Sequence, residues 1–261
     1  VQAIRTERRG DILVVTIDHP TSPMNAVDAL LHDEFAELFS MLKREGEARA
    51  IVLTGGTKRA FSAGGDLSWF PTLREVGALD ALRRTAKQLI WDLLDVEPPI
   101  VCALNGTAAG LGASIALLCD LIVMADTASI VDPHVRVGLV AGDGGTAIWP
   151  LLLGPLAAKR HLLLCEPLTA PDALRLGVAS EVVPAEEVED AAMGWAQRLA
   201  ALPPLAVTGT KLALNASLKR ALLDSFDLST ALEIPCFLSE DHVAAVDAWQ
   251  QRRPAPEFHR R

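Results

Sequence analysis

The sequence predicts an α/β protein, a parallel sheet with crossover helices followed by a region that is wholly helical. Three features carry this reading. Residues 11–17 and 50–56 are β-branched-rich apolar runs joined by an amphipathic segment, and two such strands linked through a helix make a right-handed parallel crossover. Residues 61–67 (Phe-Ser-Ala-Gly-Gly-Asp-Leu) and 105–110 (Asn-Gly-Thr-Ala-Ala-Gly) are small-residue loops that each follow a buried strand, places where backbone can meet a ligand. Beyond Pro184 the pattern is helical throughout, with breaks at proline or charge.

In chain order, residues 19–23 (His-Pro-Thr-Ser-Pro) must be a loop, and residues 25–28 (Asn-Ala-Val-Asp) introduce a helix that runs to about Glu45. Its apolar face is Leu30, Leu31, Phe35, Leu38, Phe39 and Leu42, and Asp28 is its expected cap. Residues 75–96 form the next helix, preceded by Trp69 and Phe70. Residues 99–104 are a buried strand leading through the second glycine loop into a helix that starts near Leu111. Such a start directs free N–H groups and a positive dipole end outward, where they can hold an anion or a developing oxyanion. Strands at 121–125 and 128–131 follow, and residues 132–138 leave the sheet toward the site. Short helices at 146–153, 156–165 and 170–176 precede a last strand at 179–183. The tail divides into helices at 189–202, 204–222, 224–238 and 240–251.

Composition narrows the function. The 261 residues are 50% hydrophobic and 22% charged, enough for a sizeable core. A net charge of −9 gives no basic field for nucleic acid. Cys102, Cys119, Cys165 and Cys236 lack C-x-x-C spacing and read as reduced thiols, so structural zinc or any other metal site is not expected. With no signal-peptide pattern and no apolar run of membrane-spanning length, the expected setting is cytoplasmic and off the membrane.

Asn25-Ala26, residues 61–67, 105–112, Cys119-Asp120 and 138–149 together resemble the crotonase superfamily, also called the enoyl-CoA hydratase/isomerase family, over essentially the whole chain. The resemblance implies a spiral of ββα turns at residues 1–200, with the acyl-CoA site, and a helical trimerisation region at 201–261 that packs subunits into trimers or dimers of trimers. It implies that the N–H groups of Gly65 and Leu111 polarise a thioester carbonyl. Coenzyme A would enter as part of the substrate rather than as a cofactor, its adenine against Ala63, Gly64, Asp66 and Leu67, with Lys58 and Arg59 in reach of a phosphate. Trp69, Phe70 and Ser114 would line the acyl pocket.

Family hydratases carry two glutamates for proton transfer, and here those positions hold Ser114 and His134. In their place the chain offers His134 with Asp143, a histidine that can take and return a proton and a carboxylate that can orient it. The same pair resembles that of 6-oxocamphor hydrolase, a family member that cleaves a carbon–carbon bond between two ketones, and Glu233 matches a functional glutamate of that enzyme by position. Glu34 and Leu111 stand where that enzyme has further histidines, and retention of residues 63–66 favours a CoA thioester. Three alternatives stay open beside an acyl-CoA lyase or isomerase: a β-diketone hydrolase, a Ser114–His134–Asp143 nucleophilic set, and a CoA-ester-binding protein without catalysis.

Overall fold

In the computed structural model, which describes residues 2–259, the chain coils so that its turns add strands alternately to two sheets. β1 (Ile4–Arg9) and β2 (Ile12–Ile17) form an antiparallel hairpin. From β2 the chain crosses through α1 (Ala29–Leu42) to β3 (Ala50–Thr54), parallel to β2 with Val14 opposite Val52. β4 (Ala60–Ser62) starts the second sheet, and α2 (Val76–Asp95) returns the chain to β5 (Ile100–Leu104), beside β3. β6 (Thr107–Ala109) joins β4, and α3 (Leu111–Leu117), β7 (Leu121–Ala125) and β8 (Ser129–Val131) repeat the pattern. β9 (Leu168–Thr169) and β10 (Glu181–Val183) complete the sheets, ordered β4-β6-β8-β9 and β1-β2-β3-β5-β7-β10.

Every residue of β3 and β5 is buried, as expected for central parallel strands covered on both faces. One cover is α7 (Val188–Ala200), which packs on β3, β5 and β7 through Ala192, Ala196 and Ala200, small residues at i, i+4 spacing that let helix and sheet approach closely. α4 (Gly145–Leu153), α5 (Pro155–Leu164) and α6 (Ala170–Arg175) follow β8 and flank β9. α8 (Pro204–Phe237) then runs back against α2 and α4, and α9 (Glu240–Gln250) ends the folded chain. Among the described residues no helix is long and apolar enough to cross a membrane.

Several expectations need correction. Asp28 caps α1 as expected, accepting the Leu31 N–H at 3.0 Å, but the helix ends at Leu42 rather than near Glu45. β1 reads as no strand because five of its six residues, Arg5 to Arg9, are polar and exposed, yet as an edge strand it needs only its backbone and gains from charge that discourages further pairing. β4, β6 and β9 lie in segments read as loops, because two or three residues carry no period of their own. The tail does not break near Asp224: α8 is a single 34-residue helix, since an exposed aspartate costs a helix interior only tenths of a kcal/mol, roughly 0.7 at most. Leu205, Leu214, Leu223, Leu228 and Leu232 are exposed along it.

Candidate active site

Two asparagines, Asn25 buried and Asn105 half-buried, fasten the loops that build the site. Asn25 takes the left-handed conformation (φ 48°), which asparagine tolerates better than most residues, and its amide donates to Ile17 O and Phe61 O while its carbonyl accepts from the His19 N–H. Asn105 accepts from the Gly55 N–H at 3.0 Å and donates to Gly56 O and Lys58 O. A Cβ on Gly55 would come within 2.6 Å of the Asn105 carbonyl oxygen, so only glycine lets this strand end approach it.

The two glycine loops meet face to face. Residue 64 has φ 74°, and a Cβ there would press within 2.6 Å of Ala109 O; Gly110 has φ 48° and a Cβ there would be 3.8 Å from Gly64 Cα. Val27 pairs with Gly65 as a parallel bridge: the Val27 N–H donates to Gly64 O at 2.8 Å and the Asp66 N–H donates to Val27 O at 2.9 Å. In that ladder the Gly65 N–H faces away from Val27. Leu111 opens α3, where the first N–H groups have no carbonyl a turn earlier to bond. Gly65 and Leu111 both line a cavity of about 100 Å³.

Trp69 and Phe70, from the turn after the first glycine loop, line this cavity with Val27, Leu79, Leu82, Leu139 and Phe237. Ser114 is buried under it rather than on its wall. A wider cleft of about 540 Å³ adjoins it through Gly65, Phe70 and His134, and is walled by Ala63, Asp66, Leu67, Arg136 and Trp249. Gly64 lies behind that wall against Ala109. Lys58 is committed elsewhere, donating to His19 O at 2.8 Å and lying 3.2 Å from Asp18.

His134 enters the cavity at the start of a short helical turn, His134–Val137, that follows β8. Sequence reasoning missed its closest partner. Asp132, buried to 1%, accepts from His134 Nδ1 at 2.6 Å and from the His134 N–H at 3.1 Å. The expected orienter, Asp143, lies 3.8 Å from Nε2, beyond hydrogen-bond length, on the cavity side of the ring. The signal was an Asp-Pro-His tripeptide: the proline turn carries the histidine back toward its second neighbour upstream. Ser114 Oγ donates to Asp143 Oδ1 at 3.0 Å, and among the described residues no hydrogen bond joins it to His134, so the serine–histidine bond that a nucleophilic set needs is not formed. Glu233 comes from α8, close enough to Gly142 that a Cβ there would collide with its carboxylate, and it lines the same cavity.

These groups set one another's protonation. Burial pulls His134 down, but the charges of Asp132 and Asp143 outweigh it and hold the imidazole well above the ordinary histidine range. Burial alone would raise Asp132, yet the imidazolium beside it lowers it below an ordinary carboxylate. Burial raises Asp143 against the pull of His134 and with the push of Asp132. Glu233 is pushed up to about 8 by burial, with Asp143 and Asp132 adding to the shift and His134 opposing it. The site therefore favours a protonated His134 beside an ionised Asp132, with Asp143 and Glu233 both drawn toward their neutral forms. Asp132, His134 and Asp143 offer ligand atoms within 4.8 Å of one another.

The enoyl-CoA hydratase/isomerase family model matches residues 7–260. The chain belongs to this family. It is 32% identical to a carnitinyl-CoA dehydratase of Citrobacter koseri over 257 residues, 97% of each chain. An enoyl-CoA hydratase/isomerase crystal structure from Mycobacterium paratuberculosis superposes with a TM-score of 0.89 at 35% identity, covering 95% of this chain and 98% of that one. A β-diketone hydrolase from the cyanobacterium Anabaena, bound to (S)-3-oxocyclohexyl acetic acid, superposes with a TM-score of 0.85 at 30% identity, covering 91% and 94%. The protein is thus a crotonase-fold enzyme, and family membership leaves the particular reaction to its side chains.

Proposed function

We propose that this enzyme adds, removes or shifts a proton on a short acyl-CoA thioester, in a reaction of the enoyl-CoA hydratase/isomerase type. The N–H groups of Gly65 and Leu111 receive the thioester oxygen as it gains enolate charge, which backbone donors fixed in a water-poor pocket stabilise by several kcal/mol, about 3 to 4 per donor in comparable sites. His134, resting as an imidazolium, gives its proton to the enolate carbon or to a departing hydroxyl. Asp143, whose Oδ2 has no hydrogen-bond partner among the described residues, takes the proton from water or from the α-carbon. Asp132 holds the ring by Nδ1 so that Nε2 faces substrate. Coenzyme A lies in the wider cleft along Ala63, Asp66 and Leu67, and the acyl group in the inner cavity. Subunits assemble as trimers or pairs of trimers through exposed leucines of α8, with residues 201–261 as the assembling unit.

The observation that carries this reading is a histidine held between two aspartates on the wall of the cavity that both amides line. The test is turnover of crotonyl-CoA followed by loss of enone absorbance. His134→Gln and Asp143→Asn each lower the rate on the order of a hundredfold. Unchanged rates in both variants refute the assignment, and absence of any CoA-ester turnover refutes the reaction class.

A second reading has its own support. Glu233 joins His134 and Asp143 at one cavity, the three positions by which the sequence resembles 6-oxocamphor hydrolase, and the β-diketone hydrolase superposes over nine-tenths of the chain. There water adds to one carbonyl of a cyclic β-diketone, the bond to the carbon between the carbonyls breaks, and that carbon is protonated to leave a keto acid. Offering a cyclic β-diketone in parallel with crotonyl-CoA separates the two.

A further inference from the structure

His32 has no part in the chemistry above, yet it lines the inner cavity from α1. Its side chain is 6% exposed, its ring leans on Trp69 with centroids 5.8 Å apart, and its Nε2 is buried without a hydrogen-bond partner among the described residues. A buried polar nitrogen left unpaired costs roughly 1–3 kcal/mol, a cost that a bound ligand can remove. Burial lowers its pKa, against a smaller opposing pull from Asp33, so the ring is neutral at physiological pH. Nδ1 lies 3.8 Å from the Asp33 carboxylate. That negative charge favours the ring proton on Nδ1 and leaves Nε2 with a lone pair, an acceptor awaiting a donor.

The cavity bounds what that donor belongs to. Val27 pairs with Gly65 and leads into α1, whose first turn carries His32, so His32 and the Gly65 amide line the same cavity. Its 100 Å³, smaller than the roughly 150 Å³ that accepts a benzene ring, suits an acyl chain of about four carbons. A carboxylate at the far end of the chain is disfavoured: Arg83, at the cavity wall, is paired with Asp80 at 3.1 Å, and a lone pair on His32 repels an anion. Thr230 offers no competing donor, since its hydroxyl donates to Phe226 O at 2.9 Å.

We infer that the substrate carries a hydroxyl group on the end of its acyl chain remote from the thioester, and that His32 Nε2 accepts the hydrogen bond from it. His32 is then a specificity residue rather than a catalytic one. The inference rests on the acyl-CoA reading and names the substrate class within it. Its test is equilibrium binding of two unreactive saturated thioesters, γ-hydroxybutyryl-CoA and butyryl-CoA, to the full-length protein. The hydroxylated ester binds on the order of tenfold more tightly. His32→Phe, its fold checked by a cooperative melting transition, abolishes the preference, and His32→Gln, which keeps an acceptor, retains part of it. Equal binding of both esters, or a preference that survives in His32→Phe, overturns the role of His32 and leaves the acyl-CoA reading standing. Failure of either ester to bind overturns both.

Discussion

The Glu233→Gln variant measures how much folding energy the site stores. Burial holds the Glu233 carboxyl at about 8, against an ordinary 4.5. Each tenfold change in acidity is about 1.4 kcal/mol, so the ionised group costs the fold up to about 5 kcal/mol; one side of it faces a cavity that water can enter, so an observable cost of about 2 to 5 is expected. The sign follows from proton binding. Folded protein holds the Glu233 proton between pH 4.5 and 8 while the unfolded chain releases it, so this group's contribution is intact below 4.5 and is lost as pH rises through 8. Glutamine does not ionise and loses nothing over that window. Urea unfolding of both proteins at pH 5 and pH 8.5, at one fixed protein concentration, gives the difference. The variant gains about 2 kcal/mol or more over the wild type between the two pH values, and contributions from His134, Asp132 and Asp143 largely cancel because both proteins carry them. A stability difference that does not change with pH refutes the claim that Glu233 is held neutral, and with it the account of the site's charge.

Two further predictions address His134 and Ser114. If the imidazolium is the working acid, kcat/KM falls on the alkaline side as His134 loses its proton, at a pH well above the ordinary histidine range. Asp132→Asn removes a negative neighbour, so that alkaline limb moves down by about one to three pH units; a limb that stays in place assigns it to another group. Ser114→Ala keeps turnover within about tenfold of wild type, since it removes one hydrogen bond to Asp143. A loss on the order of a millionfold, the scale seen when a nucleophilic serine is removed, reinstates Ser114 as a nucleophile.

The scaffold was legible because its determinants are local. Buried β-branched runs mark β2, β3, β5 and β7, and Asp28 caps α1 through an N–H only three residues on. What escaped depends on tertiary approach. β1 takes its strand character from β2 alone. Asp132 reaches His134 only because Pro133 turns the chain, and Glu233 reaches Gly142 across 91 residues of sequence because α8 folds back over the site. His32 follows Leu31 and precedes Phe35 by three, within the apolar stripe of α1, where a lone polar residue shows its purpose only once the cavity beside it is seen.

The charge arrangement explains why the amides and the side chains must act together. The wall sets a histidine whose neighbours favour its proton beside three carboxyl groups, two of which, Asp143 and Glu233, burial draws toward the neutral form. An enolate forming beside it adds negative charge in a pocket that disfavours charge. Two amides from separate loops offset part of that, and the enolate also raises the affinity of His134 and Glu233 for their protons. A proton given up by His134 is therefore drawn back as long as enolate remains. The step becomes irreversible only when the proton is fixed on carbon or leaves with water. A carboxylate in place of His134 would bring one more negative charge instead of a positive one, so the same fold with two glutamates must begin its reaction from a different proton count.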